Sequence, residues 1–372
     1  MDVLIAGAGV GGLALAAGLT ADGHTVRVLE RAPAPRTDGA AVTIFCNGAK
    51  AAHELGVPLD GLGGPVRTLT FTLPDGTVFG RTDLTVMRRR TGFGVATVPR
   101  HRLLARLAAP LSPGGAISYG VEVTGVAPDA NGVTVSTADG ATHRADVLVG
   151  ADGYRSAVRR AVLGDEPARH NGWISWQGLT VALPEIAGSP HARCVVGPAG
   201  LCGLMPAGDG LLQWWFDTPD APESEPTLEW LRGRFAAYAG PVAALLDGLT
   251  EADVQRYPHV RHAVPDRWGA ERTTLVGDAA HAFPPSQAQG ANQALEDAWV
   301  LRRRIALPDG LRRYERERIP RVRRISRLAA SEVTNRPPSP LGRLAGRLAG
   351  PRLGGLAYLA MLRRCSNVLG DR

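Results

Sequence analysis

The sequence predicts an α/β protein: a Rossmann-like nucleotide-binding domain, a β-sheet domain interleaved with it, and helices at the C-terminal end. Three observations predict it. The chain opens on a short apolar strand, Asp2-Val3-Leu4-Ile5-Ala6, that runs without a gap into a glycine-rich turn and a small-residue helix. Two further strand-to-glycine junctions follow far along the chain, at Val147-Leu148-Val149-Gly150 and at Leu275-Val276-Gly277-Asp278. Between those two lies a β-rich, aromatic stretch from Trp173 to Thr218, which reads as a separate sheet inserted between pieces of the first domain.

The first junction carries Gly7-Ala8-Gly9-Val10-Gly11-Gly12, then the helix-forming run Leu13 to Leu19 and a second strand, Thr25 to Leu29, ending at Glu30. Strand, glycine turn, helix and acid-terminated strand within about 30 residues form the mononucleotide-binding βαβ unit. Gly7 and Gly9 allow the tight turn and close approach to a pyrophosphate, and Gly12 lets helix and strand pack closely. Glu30 lies eighteen residues after Gly12, where a carboxylate accepts hydroxyls of an adenosine ribose and repels a 2′-phosphate. The motif alone does not separate FAD from NAD.

Residues 98–108 read as a helix opened by Pro99, and 117–126 and 132–137 as strands, with hairpin signals at Asn131-Gly132 and Asp139-Gly140. Gly150-Ala151-Asp152-Gly153 then turns into a helix carrying Arg155 and Arg159. Helical segments return at about 227–248, a closing strand at 273–276, and helices at 290–305 and 309–330. Past Pro337-Pro338, Arg343-Leu344-Ala345-Gly346 is repeated as Arg347-Leu348-Ala349-Gly350, a duplication with no evident chemistry. The expected division is 1–70, 98–165 and 265–310 for the nucleotide domain, 71–97 and 166–264 for the sheet domain, and 311–372 for the C-terminal helices.

The third junction is the richest. Gly277-Asp278-Ala279-Ala280-His281 leads through Pro284-Pro285 to Gln289-Gly290-Ala291-Asn292 and on to Glu296-Asp297. It offers a ligand an aspartate for its hydroxyls and a helix N-terminus whose free N–H groups favour negative charge. With the first motif, it suggests one long cofactor gripped at both ends.

The bulk numbers fit a cofactor enzyme. The 372 residues suffice for two domains, and the 44% hydrophobic content is that of a globular chain. No basic, apolar leader is visible at Met1, and no stretch reaches about 18 apolar residues, so neither a signal peptide nor a membrane span is expected. Cys46, Cys194, Cys202 and Cys365 are scattered without metal-ligand spacing and read as reduced and buried, in a cytoplasmic protein. The net charge of +7 divides unevenly: residues 301–372 hold 18 Arg against 5 Asp and Glu, a local +13, and the rest is −6. The favoured reading of that basic tail is a solvated helix face packed on an acidic body. Nothing resembles a nucleic-acid module.

Taken together, the three motifs resemble the group A flavoprotein monooxygenases, the para-hydroxybenzoate hydroxylase family, over about residues 1–325. Gly39-Ala40-Ala41-Val42-Thr43 with Asn47-Gly48 looks most like the urate and salicylate hydroxylase branch. The resemblance implies non-covalent FAD, with Gly7, Gly9, Val10, Gly11 and Gly12 at its pyrophosphate. It implies Glu30, Arg31, Arg100 and the backbone near Val123 on the adenine half, and Val42 and Thr43 beside the flavin. It places Asp278 on the ribityl hydroxyls and Gln289, Gly290, Ala291 and Asn292 against the pyrimidine edge. Asp152 and Gly153 would meet both FAD and incoming NAD(P)H; a plain helix N-cap is the competing role for Asp152. Cys194, Met205 and Trp215 would line the substrate, with Pro285 closing the flavin side and Trp214 facing the other way.

The implied reaction is insertion of one oxygen atom from O2 into an aromatic or polycyclic small molecule, by hydroxylation or epoxidation, via a flavin C4a-hydroperoxide. A non-oxygenating flavin oxidoreductase, or a flavin-bound protein without turnover, stays open as an alternative. The chemistry requires no triad or metal, a general base that forms a phenolate would help but no residue is assigned to it, and His281 reads as structural. Monomer and homodimer are both open. Three departures from the family pattern bear on the substrate or the flavin turn: Ala288 where glycine is usual, Gln177 where arginine is frequent, and Val195-Val196-Gly197 in place of a tryptophan-glycine pair.

Overall fold

The computed structural model describes residues 1–37, 39–219 and 227–370. Its nucleotide-binding half is a five-stranded, all-parallel sheet in the order Thr273–Leu275, Val147–Gly150, Asp2–Ala6, Thr25–Glu30, Ile117–Tyr119. Strands covered on both faces must be continuously apolar, and Val3, Leu4 and Ile5 are wholly buried. The helix Val10–Ala21 is buried along Val10 to Leu19, because its glycines and alanines let neighbours approach from every side.

The expected single strand over 117–126 is two. Ile117–Tyr119 closes the parallel sheet, and Val123–Asp129 starts a separate antiparallel sheet with Gly132–Thr137 and Thr142–Ala145. Gly120, at φ +73°, makes the break, and its N–H bonds Ala32 O.

The second large sheet has seven strands in the order Gln255–Arg261, Arg169–Thr180, Leu211–Pro219, Gly200–Gly208, His191–Gly197, Thr68–Thr72, Val78–Asp83. Its outer face packs Trp176, Trp214 and Phe216 against the helices Leu228–Arg234 and Pro241–Gly248. Its inner face presents Cys194, Met205 and Trp215 toward the nucleotide half. Trp214 and Trp215 therefore face opposite ways, as strand alternation requires. All four cysteines are free and buried.

The helix Gly310–Ala330 docks on the nucleotide half through the ion pairs Arg304–Glu317 (2.6 Å) and Arg323–Asp266 (2.7 Å) and through Arg318, which has no exposed surface. Pro340–Leu348 and Gly350–Cys365 follow, lying along the edge strand Val78–Asp83. No helix among the described residues is long and apolar enough to cross a membrane.

A buried polar knot ties the chain after Gly310–Ala330 to the seven-stranded sheet. His259 Nδ1 meets Glu332 Oε1 at 2.8 Å, and its Nε2 meets Ser175 Oγ at 2.8 Å and Asp217 Oδ1 at 3.4 Å. Burial alone would lower the imidazole pKa, but hydrogen bonds and charge from Asp217 and Glu332 outweigh it and raise it to about 9. The folded value lies above the unfolded one, so this contribution is fully present below about pH 6.5 and is lost as pH rises through about 9. Its loss would cost about 3 kcal/mol. Melting temperature should fall between neutral and alkaline pH, and His259→Gln should flatten that slope. An unchanged slope in the variant would remove His259 as its cause.

Candidate active site

Two helix N-termini, those of Val10–Ala21 and Gly290–Arg302, leave their first N–H groups unpaired among the described residues. At the first, Gly7 sits at φ +106° with its N–H bonded to Leu29 O at 2.7 Å; a Cβ there would lie 2.4 Å from Ala151 O. A Cβ on Gly12 would lie 2.1 Å from Gly7 O, so helix and turn touch backbone to backbone. At Gly9 the nearest atom to such a Cβ is 3.9 Å away, which leaves that side of the turn open. Among the described residues the N–H groups of Val10, Gly11 and Gly12 have no partner within the protein, as in any first helical turn. Glu30 accepts the N–H groups of Ala8 (2.7 Å) and Ala32 (2.9 Å), which aims its carboxylate across the turn and leaves each oxygen a further lone pair. Arg31 is exposed, and Arg100 opens the helix Arg100–Ala108 with no side-chain hydrogen bond among the described residues. Val123 is buried at the head of its strand.

At the second, the helix Gly290–Arg302 leaves the N–H groups of Gly290, Ala291 and Asn292 unpaired among the described residues. Asn292 is a clamp: its Oδ1 accepts Phe45 N–H (2.8 Å), and its Nδ2 donates to Thr43 O (2.9 Å) and Ala288 O (2.8 Å). The loop bearing Val42 and Thr43 is thereby held against this helix end. Gln289 accepts from Asn47 at 3.1 Å, and its own Nε2 is buried without a partner among the described residues. Ala288 takes the left-handed conformation, φ +49°, which suits glycine better. Pro285 is exposed at the start of the turn Pro285–Gln287.

Asp278 opens the single helical turn Asp278–His281; its carboxylate is exposed and makes no hydrogen bond among the described residues. The turn is held from behind by Asp297, which is wholly buried. One oxygen of Asp297 accepts Gly277 N–H (2.8 Å) and meets His281 Nε2 (2.6 Å); the other accepts Arg318 Nε (2.6 Å). Burial pushes the Asp297 carboxyl pKa up, but the charges of His281 and Arg318 overcome this and the net shift is downward. Arg318 spends its other donors on Glu296, Asn367, and the backbone and side-chain oxygens of Gln293, so all five are used. His281 lies between Trp268 and Phe283, at ring separations of 5.3 and 5.8 Å, and has no exposed surface.

Asp152 is occupied locally. Its carboxylate accepts Ser156 Oγ and the N–H groups of Ala157 and Val158, which caps the helix Ala157–Leu163; burial raises its pKa against those bonds. Gly153, at φ +81°, makes the turn. The expectation that one helix carries both Arg155 and Arg159 needs correction. Arg155 precedes the helix and is exposed, lying against the Tyr154 ring. Arg159 is buried and donates to Ala279 O and Ala280 O, at the C-terminal end of the Asp278 turn, where a cation satisfies helix carbonyls.

Three of the four predicted substrate residues come together, and Pro285, exposed on its turn, is not among them. Met205 and Trp215 share an apolar cluster with Phe45, Phe93, Ala288 and Tyr358, and Cys194 joins it through Trp215. Thr43 and Thr97 direct their hydroxyls at Met205 Sδ, at 3.4 and 3.5 Å. Burial raises the Cys194 thiol pKa to about 12, so it is no nucleophile. Tyr358 escapes sequence reasoning. It comes from the helix Gly350–Cys365, its ring lies 5.2 Å from Phe45, and its hydroxyl makes no hydrogen bond among the described residues. Helical spacing of apolar residues around it gives no hint that one of them points at a site.

Two helix N-termini with unpaired N–H groups beside a parallel sheet, with an apolar cluster against the second, are the features of a dinucleotide-cofactor enzyme. Residues 1–329 match the FAD-binding domain family, and the chain belongs to it. It is 32% identical over 334 residues to the aurachin C monooxygenase/isomerase of Stigmatella aurantiaca, covering 87% of this chain and 86% of that protein. It is 33% identical over 351 residues to the 3-amino-4-hydroxybenzoate 2-monooxygenase PtmB3 of Streptomyces platensis, covering 87% and 86%. The structure of Klebsiella pneumoniae HpxO with FAD and uric acid superposes with a TM-score of 0.88 at 29% identity, over 100% of this chain and 97% of that one. The protein is an FAD-dependent monooxygenase, an oxidoreductase.

Proposed function

We propose that this enzyme uses NAD(P)H and O2 to insert one oxygen atom into a flat, mostly apolar aromatic or polycyclic ring. The observation that carries this reading is the apolar cluster of Phe45, Met205, Trp215 and Tyr358 set against Ala288, one residue from the Gln289–Asn292 turn. The relatives named for aurachin C and for aminohydroxybenzoate support a ring compound as substrate, the second of them one that carries a carboxylate.

The residues fit FAD: a glycine turn open at Gly9, an unpartnered Asp278 and an unpaired N-terminus at Gly290 lie where its pyrophosphate, ribityl chain and pyrimidine edge would each find a partner. Bound FAD supplies the redox chemistry, accepting a hydride and activating O2. The chain contributes placement. Glu30 and Arg100 hold the adenosine half, and the helix end at Gly290 brings about half a positive charge to the flavin edge that becomes anionic on reduction. Trp215, Met205 and Phe45 stack the ring and exclude water, which limits wasted reductant. Tyr358 supplies a hydroxyl to orient the ring. With Arg159 sequestered, the nicotinamide approach falls to Arg155 on the exposed side of the Gly153 turn. The setting is cytoplasmic, with one or two copies of the chain.

The test is NADH and NADPH oxidation by the flavin-loaded enzyme, with and without a panel of phenols, quinolones and purines, in isotopically labelled O2. A productive ring should accelerate oxidation and emerge carrying one labelled oxygen. Oxidation equally fast without any ring, or a product free of label, would establish the non-oxygenating alternative.

A further inference from the structure

We infer that the helix pair Pro340–Leu348 and Gly350–Cys365 is a docking face for an anionic lipid bilayer. The duplicated Arg-Leu-Ala-Gly motif is what builds it. A Cβ on Gly346 would lie 2.4 Å from Phe79 O and one on Gly355 2.2 Å from Asp83 O, so both helices press their backbones onto the edge strand Val78–Asp83. Arg347 Nε adds a hydrogen bond to Val78 O at 3.2 Å. That contact covers the open edge of the seven-stranded sheet and fixes how the first helix is rotated. Its leucines are turned outward: Leu341 is 79% exposed, Leu344 54% and Leu348 77%, with Leu353 at 57% just beyond. Residues 341, 344 and 348 fall on one face at 3.6 residues per turn. These are large apolar side chains collected on a single face, and scattered exposed leucines would carry no such meaning.

Charge selects the occupant. Residues 333–370 contain six arginines and no Asp or Glu. Arg352 sits beside Leu353, and Arg88 and Arg90 are exposed on the helix Thr85–Thr91, which packs against Gly350–Cys365. A second copy of the chain docking through this face would bring like-charged arginines together, which opposes self-association. A bilayer with acidic headgroups accepts both components: leucines enter the acyl boundary and arginines stay among the phosphates. Each basic residue near such a surface strengthens binding about fivefold, and salt weakens it. Such docking would bring the enzyme to a surface where apolar ring compounds partition; the inference itself does not depend on what the active site oxidises.

The test is sedimentation of the flavin-loaded protein with phosphatidylcholine vesicles and with vesicles containing about 30% phosphatidylglycerol, at low and high salt. The protein should pellet with the anionic vesicles only and be released by salt. Replacing Leu341, Leu344, Leu348 and Leu353 together by serine should weaken that binding at least about tenfold while leaving flavin content and melting temperature unchanged. Wild-type protein that ignores anionic vesicles, or a serine variant that binds them as well, would overturn the inference. So would a wild-type dimer in solution, without vesicle binding, that the serine variant converts to monomer.

Discussion

Arg318→Met should leave the protein largely unfolded or free of flavin. Two carboxylates, Glu296 and Asp297, have no exposed surface and share this guanidinium. Removing one partner of a buried ion pair costs about 3–5 kcal/mol, because the remaining charge is stranded. Total stabilities are about 5–15 kcal/mol, so the loss is a large fraction of the whole. Arg318→Lys should recover little, since an ammonium cannot reproduce five forked donors. Glu296→Gln in the Arg318→Met background should recover part of the loss by removing one stranded charge. Denaturant unfolding and the flavin absorbance of the purified proteins are the measurements. A fully stable, yellow Arg318→Met protein would show that the network is incidental.

Asp278→Ala should have the opposite profile, with a normal fold and poor flavin retention. Its side chain has no partner among the described residues to lose, and surface changes of that kind move stability by about 0.5 kcal/mol or less. A hydrogen bond to a charged group contributes about 1.5–3 kcal/mol, so FAD affinity should drop roughly ten- to a hundredfold. Equilibrium titration of apoprotein with FAD reads this directly. Undiminished affinity with the fold intact would take Asp278 off the ribityl chain.

What was legible in the sequence was local. The βαβ unit shows itself because its strand, glycine turn and helix follow one another within about 30 residues. The alternation of Trp214 and Trp215 follows from the two-residue period of a strand. The split at Gly120 was missed because the apolar pattern runs on across it, and only a positive φ betrays the turn. Asp297 was visible as part of a motif, yet its work as the post behind Gly277 and His281 was not. Its partner Arg318 is one of 18 arginines in the last 72 residues, and nothing in composition marks one of them as buried. Arg159 was misplaced for the same reason: a helical arginine beside a ligand turn and one plugging carbonyls behind it look alike in sequence. The knot of Ser175, Asp217, His259 and Glu332 comes from three strands and a turn after a helix, and no spacing rule connects them.

The Asp297 hub also sets an order of events during synthesis. The opening βαβ unit can form once its own residues have left the ribosome, but the strand between Thr273–Leu275 and Asp2–Ala6 arrives only at Val147, and the turn that carries Asp278 later still. That turn is steadied by Arg318, and Arg318 and Glu296 in turn bond Asn367. Contacts spanning that much chain are the slow ones to close. A nascent polypeptide therefore has the first of the two helix N-termini in place well before the second is steadied, which waits until Asn367 has been made.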